Sequence, residues 1–339
     1  MKQVKVVVVG AGVVGLSAAV CIAEALPVCS VTLLADKFSP DTTSDVAAGI
    51  VFAEEYPDIP LERQRRWFQD SFEHLLAIAQ SAHSPEAGVS FSSGCQIFKE
   101  PPANKTPYWS DIVFGFRFLS ERELNRFPCH TFGQAFTTIR CECSRYLPWL
   151  LKRFQTARGH MEQKKVSSLQ ELGRHYDVIV NCSGLGSRAV AGDGQVYPIR
   201  GQVLRAEAPW LEHFIRDSDG NTYIYPGAQY VTLGGTRQVG DERLQVDRRD
   251  SESILERCTL LEPSLRRAWL VGEWVGLRPG RRNPRVEREV LEVNGHGRVH
   301  VVHNYGHGGW GVSVAWGTAV DTMRLVRKCL QELSLPAKL

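Results

Sequence analysis

Val4-Lys5-Val6-Val7-Val8-Val9-Gly10-Ala11-Gly12-Val13-Val14-Gly15 decides how the rest of the chain is read. Four consecutive valines with Val4 before them predict a strand buried on both faces, as in the middle of a parallel sheet. The strand runs directly into Gly-x-Gly-x-x-Gly. In that pattern the first glycine permits the tight turn, the second admits a pyrophosphate to the backbone, and the third lets the next helix pack closely on the strand. Leu16 to Ala25 supplies the helix, with its electropositive N-terminus toward the phosphates. A second apolar strand, Val31 to Leu34, follows it. Asp36 stands just past that strand, 21 residues after Gly15, where a carboxylate takes the hydroxyl pair of a ribose. Glycine turns are common, but strand, turn, helix, strand and acid in this order predict a dinucleotide-binding α/β domain.

The next stretch, Thr42-Thr43-Ser44-Asp45-Val46-Ala47-Ala48-Gly49, is small enough for a flat ligand to lie close to its backbone, and Thr43 and Ser44 carry hydroxyls for phosphate oxygens. An ordinary surface turn is the alternative. From Leu61 to Ala79 apolar residues recur with helical period (Trp67, Phe68, Phe72, Leu75, Leu76), which predicts a helix with an aromatic core face. Residues 95 to 140 alternate short apolar runs with loops, and a helix is read from Trp149 to Phe154. Tyr176 to Ser187 is again a buried strand ending in a glycine-rich turn, so the chain re-enters its first sheet. From Val196 to about Val275 the strands are short and β-branched or aromatic, as in an antiparallel sheet. Val299 to Val302 forms a last strand, and His303 to Ser313, rich in glycine, opens a closing helix from Val314 to Leu333. The expected fold is therefore α/β: a Rossmann-like domain of residues 1–55, 145–195 and 280–339, interleaved with an α+β domain of residues 56–144 and 196–279 built on an antiparallel sheet.

Composition narrows the function. The 339 residues carry 40 basic and 37 acidic side chains, a net charge of +3, so a polyanionic partner is not expected. The arginines of 278–288 are interleaved with Glu287 and read mostly as a solvated face. Nine cysteines without framework spacing, and a core strand beginning at residue 4, point to a reduced intracellular compartment. No apolar run approaches the ~20 residues that span a bilayer. His300, His303 and His307 straddle a strand end with no cysteine or carboxylate close by in sequence, a poor metal site. The last residues, Ala337-Lys338-Leu339, differ from the Ser-Lys-Leu peroxisomal address by one small residue, so an import receptor and a peroxisomal matrix location are expected, otherwise the cytosol.

Two arginines carry chemistry on local grounds. In Val231-Thr232-Leu233-Gly234-Gly235-Thr236-Arg237, period two puts Arg237 on the face of Val231 and Leu233, where a buried guanidinium needs an anion. If the strand has ended by Gly235, Arg237 is exposed, and the sequence leaves both readings open. Arg278, held against Pro279 between glycines at a strand end, could fork onto a carboxylate.

Gly10 to Gly15, Thr42 to Gly49 and Val301-Val302-His303-Asn304-Tyr305-Gly306-His307-Gly308-Gly309-Trp310-Gly311 together resemble the FAD-dependent D-amino acid oxidases over essentially the whole chain. The resemblance implies FAD bound by Gly10, Ala11, Gly12, Val13, Val14, Gly15, Asp36, Lys37, Thr43, Ser44, Gly49, Ile50, Val166, Gly308, Gly311, Val312 and Ser313. It implies a substrate α-carboxylate held by Tyr223 and Arg278, and an α-amine at the backbone of Gly309. Hydride would pass to the flavin by positioning alone, with no side-chain base, and O2 would end as hydrogen peroxide beside a 2-oxo acid and ammonia. Arg216 and Arg237 fall where oxidases of neutral substrates have apolar residues, so a second carboxylate is expected: D-aspartate above all, then D-glutamate and N-methyl-D-aspartate. Glu54 and Glu55 are taken to face away from that site. The Gly309-Trp310 pair supports the alternative, an oxidase preferring neutral D-amino acids. A homo-oligomer is compatible with all of this.

Overall fold

The computed structural model describes residues 3–293 and 297–334. Its strands in chain order are β1 (Val4–Val9), β2 (Cys29–Ala35), β3 (Val89–Phe98), β4 (Phe114–Phe118), β5 (Phe132–Cys141), β6 (His160–Gln163), β7 (Val178–Asn181), β8 (Tyr197–Glu207), β9 (Phe214–Asp217), β10 (Tyr223–Pro226), β11 (Val231–Gly234), β12 (Gln238–Val239), β13 (Trp269–Gly280), β14 (Arg285–Val293) and β15 (Gly297–Tyr305). The long helices are α1 (Val13–Ala25), α2 (Leu61–Ala79), α3 (Cys143–Thr156), α4 (Arg248–Leu261) and α5 (Gly311–Ser334).

One sheet has the order β14-β15-β7-β1-β2-β6, with β15, β7, β1, β2 and β6 mutually parallel. Val6 to Val9 are at most 5% exposed, because β1 lies between β2 and β7 with helices over one face and a smaller apolar cluster on the other. The valine run can stay dry on both sides only in that central place. Parallel strands send their C-terminal ends to one edge. There β1 turns into α1, β7 into the Gly184–Gly186 turn, and β15 through Gly308–Trp310 into α5.

The second sheet runs β12-β8-β11-β10-β9-β3-β5-β4, with β13 also paired to β8. It is antiparallel except at β3 and β9, which are parallel. Long β13 pairs with β8 along eleven residue pairs from Trp269↔Glu207 to Gly280↔Tyr197. The pairing carries Arg278 back to the edge where the first sheet ends its parallel strands.

Several expectations need correction. Helix α3 starts at Cys143 rather than Trp149, since its buried stripe of Tyr146, Leu147, Leu150 and Phe154 begins before the tryptophan. Helix α2, expected in the substrate domain, packs on α5 as well as on β3 and β5 and so touches both sides. A Cβ at Gly317 would lie 2.1 Å from the Trp67 carbonyl oxygen, and the Gly317 N–H donates to Ser71 Oγ at 2.8 Å. The arginine run 278–288 is only partly solvated: Arg281 is largely buried against Asp193 at 3.0 Å, and Arg285 pairs with Glu287 and Glu289. All nine cysteines are free. No described helix is long and apolar enough to cross a membrane. The tail Ala337-Lys338-Leu339 lies outside the described residues.

Candidate active site

The first glycine turn is shaped by backbone contact on every side. Gly10 has φ +108°, and a Cβ there would sit 2.4 Å from the Cys182 carbonyl oxygen at the end of β7. At Gly15 a Cβ would fall 1.8 Å from the Gly10 carbonyl oxygen, so α1 can begin this close to β1 only with glycine. Gly12 faces Ser44, whose Oγ would be 3.1 Å from a Cβ and accepts from the Val13 N–H at 3.0 Å. The start of α1, with Ala11 and Gly12 just before it and Val14 in its first turn, therefore meets the Thr42–Gly49 loop across a narrow slot.

That loop is held by one buried carboxylate. Asp45 accepts from Thr42 N (3.0 Å), Thr42 Oγ1 (2.7 Å) and Ser39 Oγ (2.6 Å), which leaves Thr43 exposed toward β13. Gly49 (φ +74°) and buried Ile50 then turn the chain against Cys141 and Arg140 of β5. Asp36 and Lys37 are exposed past the end of β2, and among the described residues the Asp36 carboxylate has no partner. Val166 packs with Val9 and Leu34 just after β6. At the same edge Gly308 opens the short turn before α5, and Gly311, Val312 and Ser313 begin α5 itself, whose first N–H groups have no acceptor within the helix. Ser313 Oγ itself donates to the Phe52 carbonyl at 2.7 Å, so only its backbone is free for a ligand. Two helix starts, an unpaired carboxylate and a slot that side chains would fill suit the diphosphate and ribose of FAD.

The second sheet places a different set of groups at the mouth. Tyr223 and Tyr225 share a face of β10 by period two and stack with centroids 4.5 Å apart. Arg216 of β9 is opposite Tyr223 in register. A Cβ on Gly201 of β8 would lie 2.2 Å from Arg278 Nη1, and one on Gly235, just past β11, would lie 3.0 Å from Tyr223 Oη and 2.9 Å from the carbonyl oxygen of Gln202, the next residue of β8. Arg278 Nη1 also donates to the Thr236 carbonyl at 3.0 Å, and a Gly309 Cβ would be 3.8 Å from Arg278 Cδ. Burial raises the pKa of the Tyr223 phenol, with Arg278 and Arg216 pulling partly back, so it is an O–H donor at neutral pH. Tyr223, Arg278, Arg216 and the Gly309 backbone thus converge beside the cofactor slot.

Arg216 has an unusual setting. Its side chain is 9% exposed, and its guanidinium carbon lies 5.0 Å from the Phe52 ring centroid and 5.3 Å from that of Trp310. Burial works against the charge, yet Tyr225, Glu54 and Tyr223 outweigh it and hold the pKa above the ordinary value. Among the described residues the buried Arg216 Nε has no hydrogen-bond partner. The ion pair Arg216 does make is with Glu54, Nη2 to Oε1 at 3.2 Å.

Of the two readings left open for Arg237, the structure has the exposed one: strand β11 ends at Gly234, and Arg237 is exposed without a partner among the described residues. One expectation fails here. Glu54, taken to face away, reaches in to Arg216. The sequence reading did not single out Tyr225, although it stands two residues from Tyr223 on one strand face. Phe52 has no comparable signal. Trp310, read as a mark of neutral substrates, instead covers the cation. His303 bonds Glu289 and Asn181, and buried His307 has its pKa lowered to about 4 by desolvation. Among the described residues no cluster of His, Cys, Asp or Glu could hold a metal.

Residues 5–325 match the model of the DAO family, described as FAD dependent oxidoreductase. The chain is 54% identical over 336 residues to D-aspartate oxidase from Homo sapiens, covering 99% of this chain and 98% of that protein. It is 40% identical to D-amino-acid oxidase from Rubrobacter xylanophilus, covering 96% and 97%. Glycine oxidase from Geobacillus kaustophilus superposes with a TM-score of 0.75 at 19% identity over 98% of each chain, a likeness of fold. Glycine cradle, paired domains and full-length similarity agree: the chain belongs to the DAO family of FAD-dependent oxidoreductases.

Proposed function

We propose that this chain oxidises acidic D-amino acids, D-aspartate first and then D-glutamate and N-methyl-D-aspartate. The similarity to D-aspartate oxidase supports this, and one observation carries it within the site: a buried arginine, Arg216, walled by Phe52 and Trp310 beside the Tyr223 and Arg278 pair. FAD, when bound, supplies the two-electron acceptor for the substrate's α-hydrogen and a route to O2, leaving hydrogen peroxide and, after hydrolysis, a 2-oxo acid and ammonia. The protein's share is to bind and orient. Arg278 and the Tyr223 hydroxyl hold the α-carboxylate, and the exposed backbone of Gly309 accepts from the α-amine. Arg216 takes the distal carboxylate, with exposed Arg237 as a second cation at the rim. Trp310 and Phe52 exclude water from that side.

A dicarboxylate gains a charge-assisted contact with a nearly buried guanidinium that a monocarboxylate substrate forgoes, and the difference is a strong discriminator. Arg216→Leu is therefore expected to lower kcat/KM for D-aspartate about a hundredfold or more and to raise that for D-alanine. Hydrogen peroxide production with each substrate measures both. Equal turnover of D-alanine and D-aspartate by the unaltered enzyme would refute the acidic preference.

The tail Ala337-Lys338-Leu339 belongs to the proposal as a peroxisomal import address, on sequence alone. A fluorescent protein fused ahead of the chain is expected to enter peroxisomes and to stay in the cytosol once those three residues are deleted; unchanged import after deletion would reject it.

A further inference from the structure

We infer that Glu54 is a tethered substitute for the substrate's distal carboxylate, holding the Arg216 subsite until an acidic ligand displaces it; this rests on the acidic-substrate reading above. Arg216 is nearly buried, but the anion paired with it is on a side chain that is 53% exposed. The contact is single and 3.2 Å long, from Nη2 alone, and among the described residues Nε is left without a partner. A buried arginine with a structural place in this fold has every nitrogen matched: in Arg200, Nε donates to the Arg243 carbonyl at 3.0 Å, Nη1 to Gln238 and Asp250, and Nη2 to Gln202 and the Gln245 carbonyl. Arg216 instead leaves its buried Nε unmatched among the described residues.

The backbone around Glu54 is fixed on both sides. The Phe52 carbonyl accepts from Ser313 Oγ, and the Ala53 carbonyl accepts from Trp109 Nε1 at 2.7 Å. On the other side the Tyr56 N–H donates to Gln64 Oε1 at 2.7 Å, and Tyr56 Oη donates to the His307 carbonyl. Between these anchors Glu54 and Glu55 are exposed. Glu54 can therefore leave Arg216 by rotating its side chain into solvent, with no movement of the chain.

This has opposite consequences for two classes of substrate. An acidic substrate must evict Glu54, so the carboxylate raises KM for D-aspartate. A substrate without a second carboxylate leaves Glu54 in place, and the buried guanidinium keeps an anion. Glu54 thus narrows the selectivity that Arg216 creates, by weakening the preferred substrate and tolerating the other.

The test is Glu54→Gln, which keeps size and the hydrogen bond to Arg216 but removes the charge, assayed as holoenzyme. Displacing a half-exposed ion pair is a modest effect, so KM for D-aspartate is expected to fall about threefold to tenfold with kcat little changed. The kcat/KM for D-alanine is expected to fall by a similar factor. Succinate should bind the variant more tightly than the parent enzyme, followed by the change in flavin absorbance, and propionate should not. A raised KM for D-aspartate would make Glu54 a residue that positions Arg216 and would overturn the inference. So would unchanged constants for both substrates in an enzyme that prefers D-aspartate. Preference of the unaltered enzyme for D-alanine would instead remove the acidic-substrate reading itself.

Discussion

Arg278→Ala is expected to lower kcat/KM for D-aspartate about a thousandfold to ten-thousandfold, the equivalent of roughly 4–5.5 kcal/mol for an essential charge partner. The loss should appear in kcat as well as KM. Arg278 is locked between the space left by Gly201 and the Thr236 carbonyl, so it fixes where the α-carboxylate sits and, through it, the α-carbon. Because Arg278 touches none of the glycine turn at 10–15, flavin content should be unaltered, which separates a binding defect from a folding one. Arg278→Lys restores the charge but not the planar fork and should recover only part of the activity. Steady-state kinetics with measured flavin content decide it; a loss of less than about tenfold would mean that the α-carboxylate is held elsewhere.

Gly15→Val is expected to abolish FAD binding altogether and to destabilise the fold by more than ~3 kcal/mol. The Cβ would stand 1.8 Å from one backbone oxygen and 2.8 Å from its carbon, and neither can yield without moving β1 or α1. Nine of the thirteen residues of α1 are buried, so the helix has no free direction to shift. Gly12→Ala is the internal comparison. Its Cβ would meet only Ser44 Oγ at 3.1 Å, a side-chain atom able to rotate, so the protein should fold and bind FAD more weakly. Flavin absorbance per protein and thermal unfolding of both variants provide the readout. A Gly15→Val protein that keeps its flavin would contradict the packing described here.

The cofactor half was legible because its signals are local. A strand buried on both faces needs an unbroken apolar run, and a turn that tight needs glycine, so Val4 to Gly15 announces itself. The return of the chain at Tyr176 to Ser187 was legible for the same reason, and β7 pairs with β1 where that reading requires. Arg278 could be picked out because proline and glycine flank it at a strand end. Arg237 could not be placed, since period two holds only while the strand lasts, and whether β11 outlives Gly234 depends on its neighbours β8 and β10.

The sequence by itself determined the parallel sheet and the phosphate-binding turn, which rest on residues adjacent in the chain, and through the resemblance of three separated stretches it implied the kind of cofactor. The tertiary structure alone decided which cation is buried and what faces it. Arg216, Glu54, Phe52 and Trp310 come from segments up to 258 positions apart and meet only where β9, the start of α5 and the 51–56 segment close on one another. Nothing in the spacing of those residues encodes the meeting. Their charges and rings acquire a function through burial and distance, and both are properties of the folded chain.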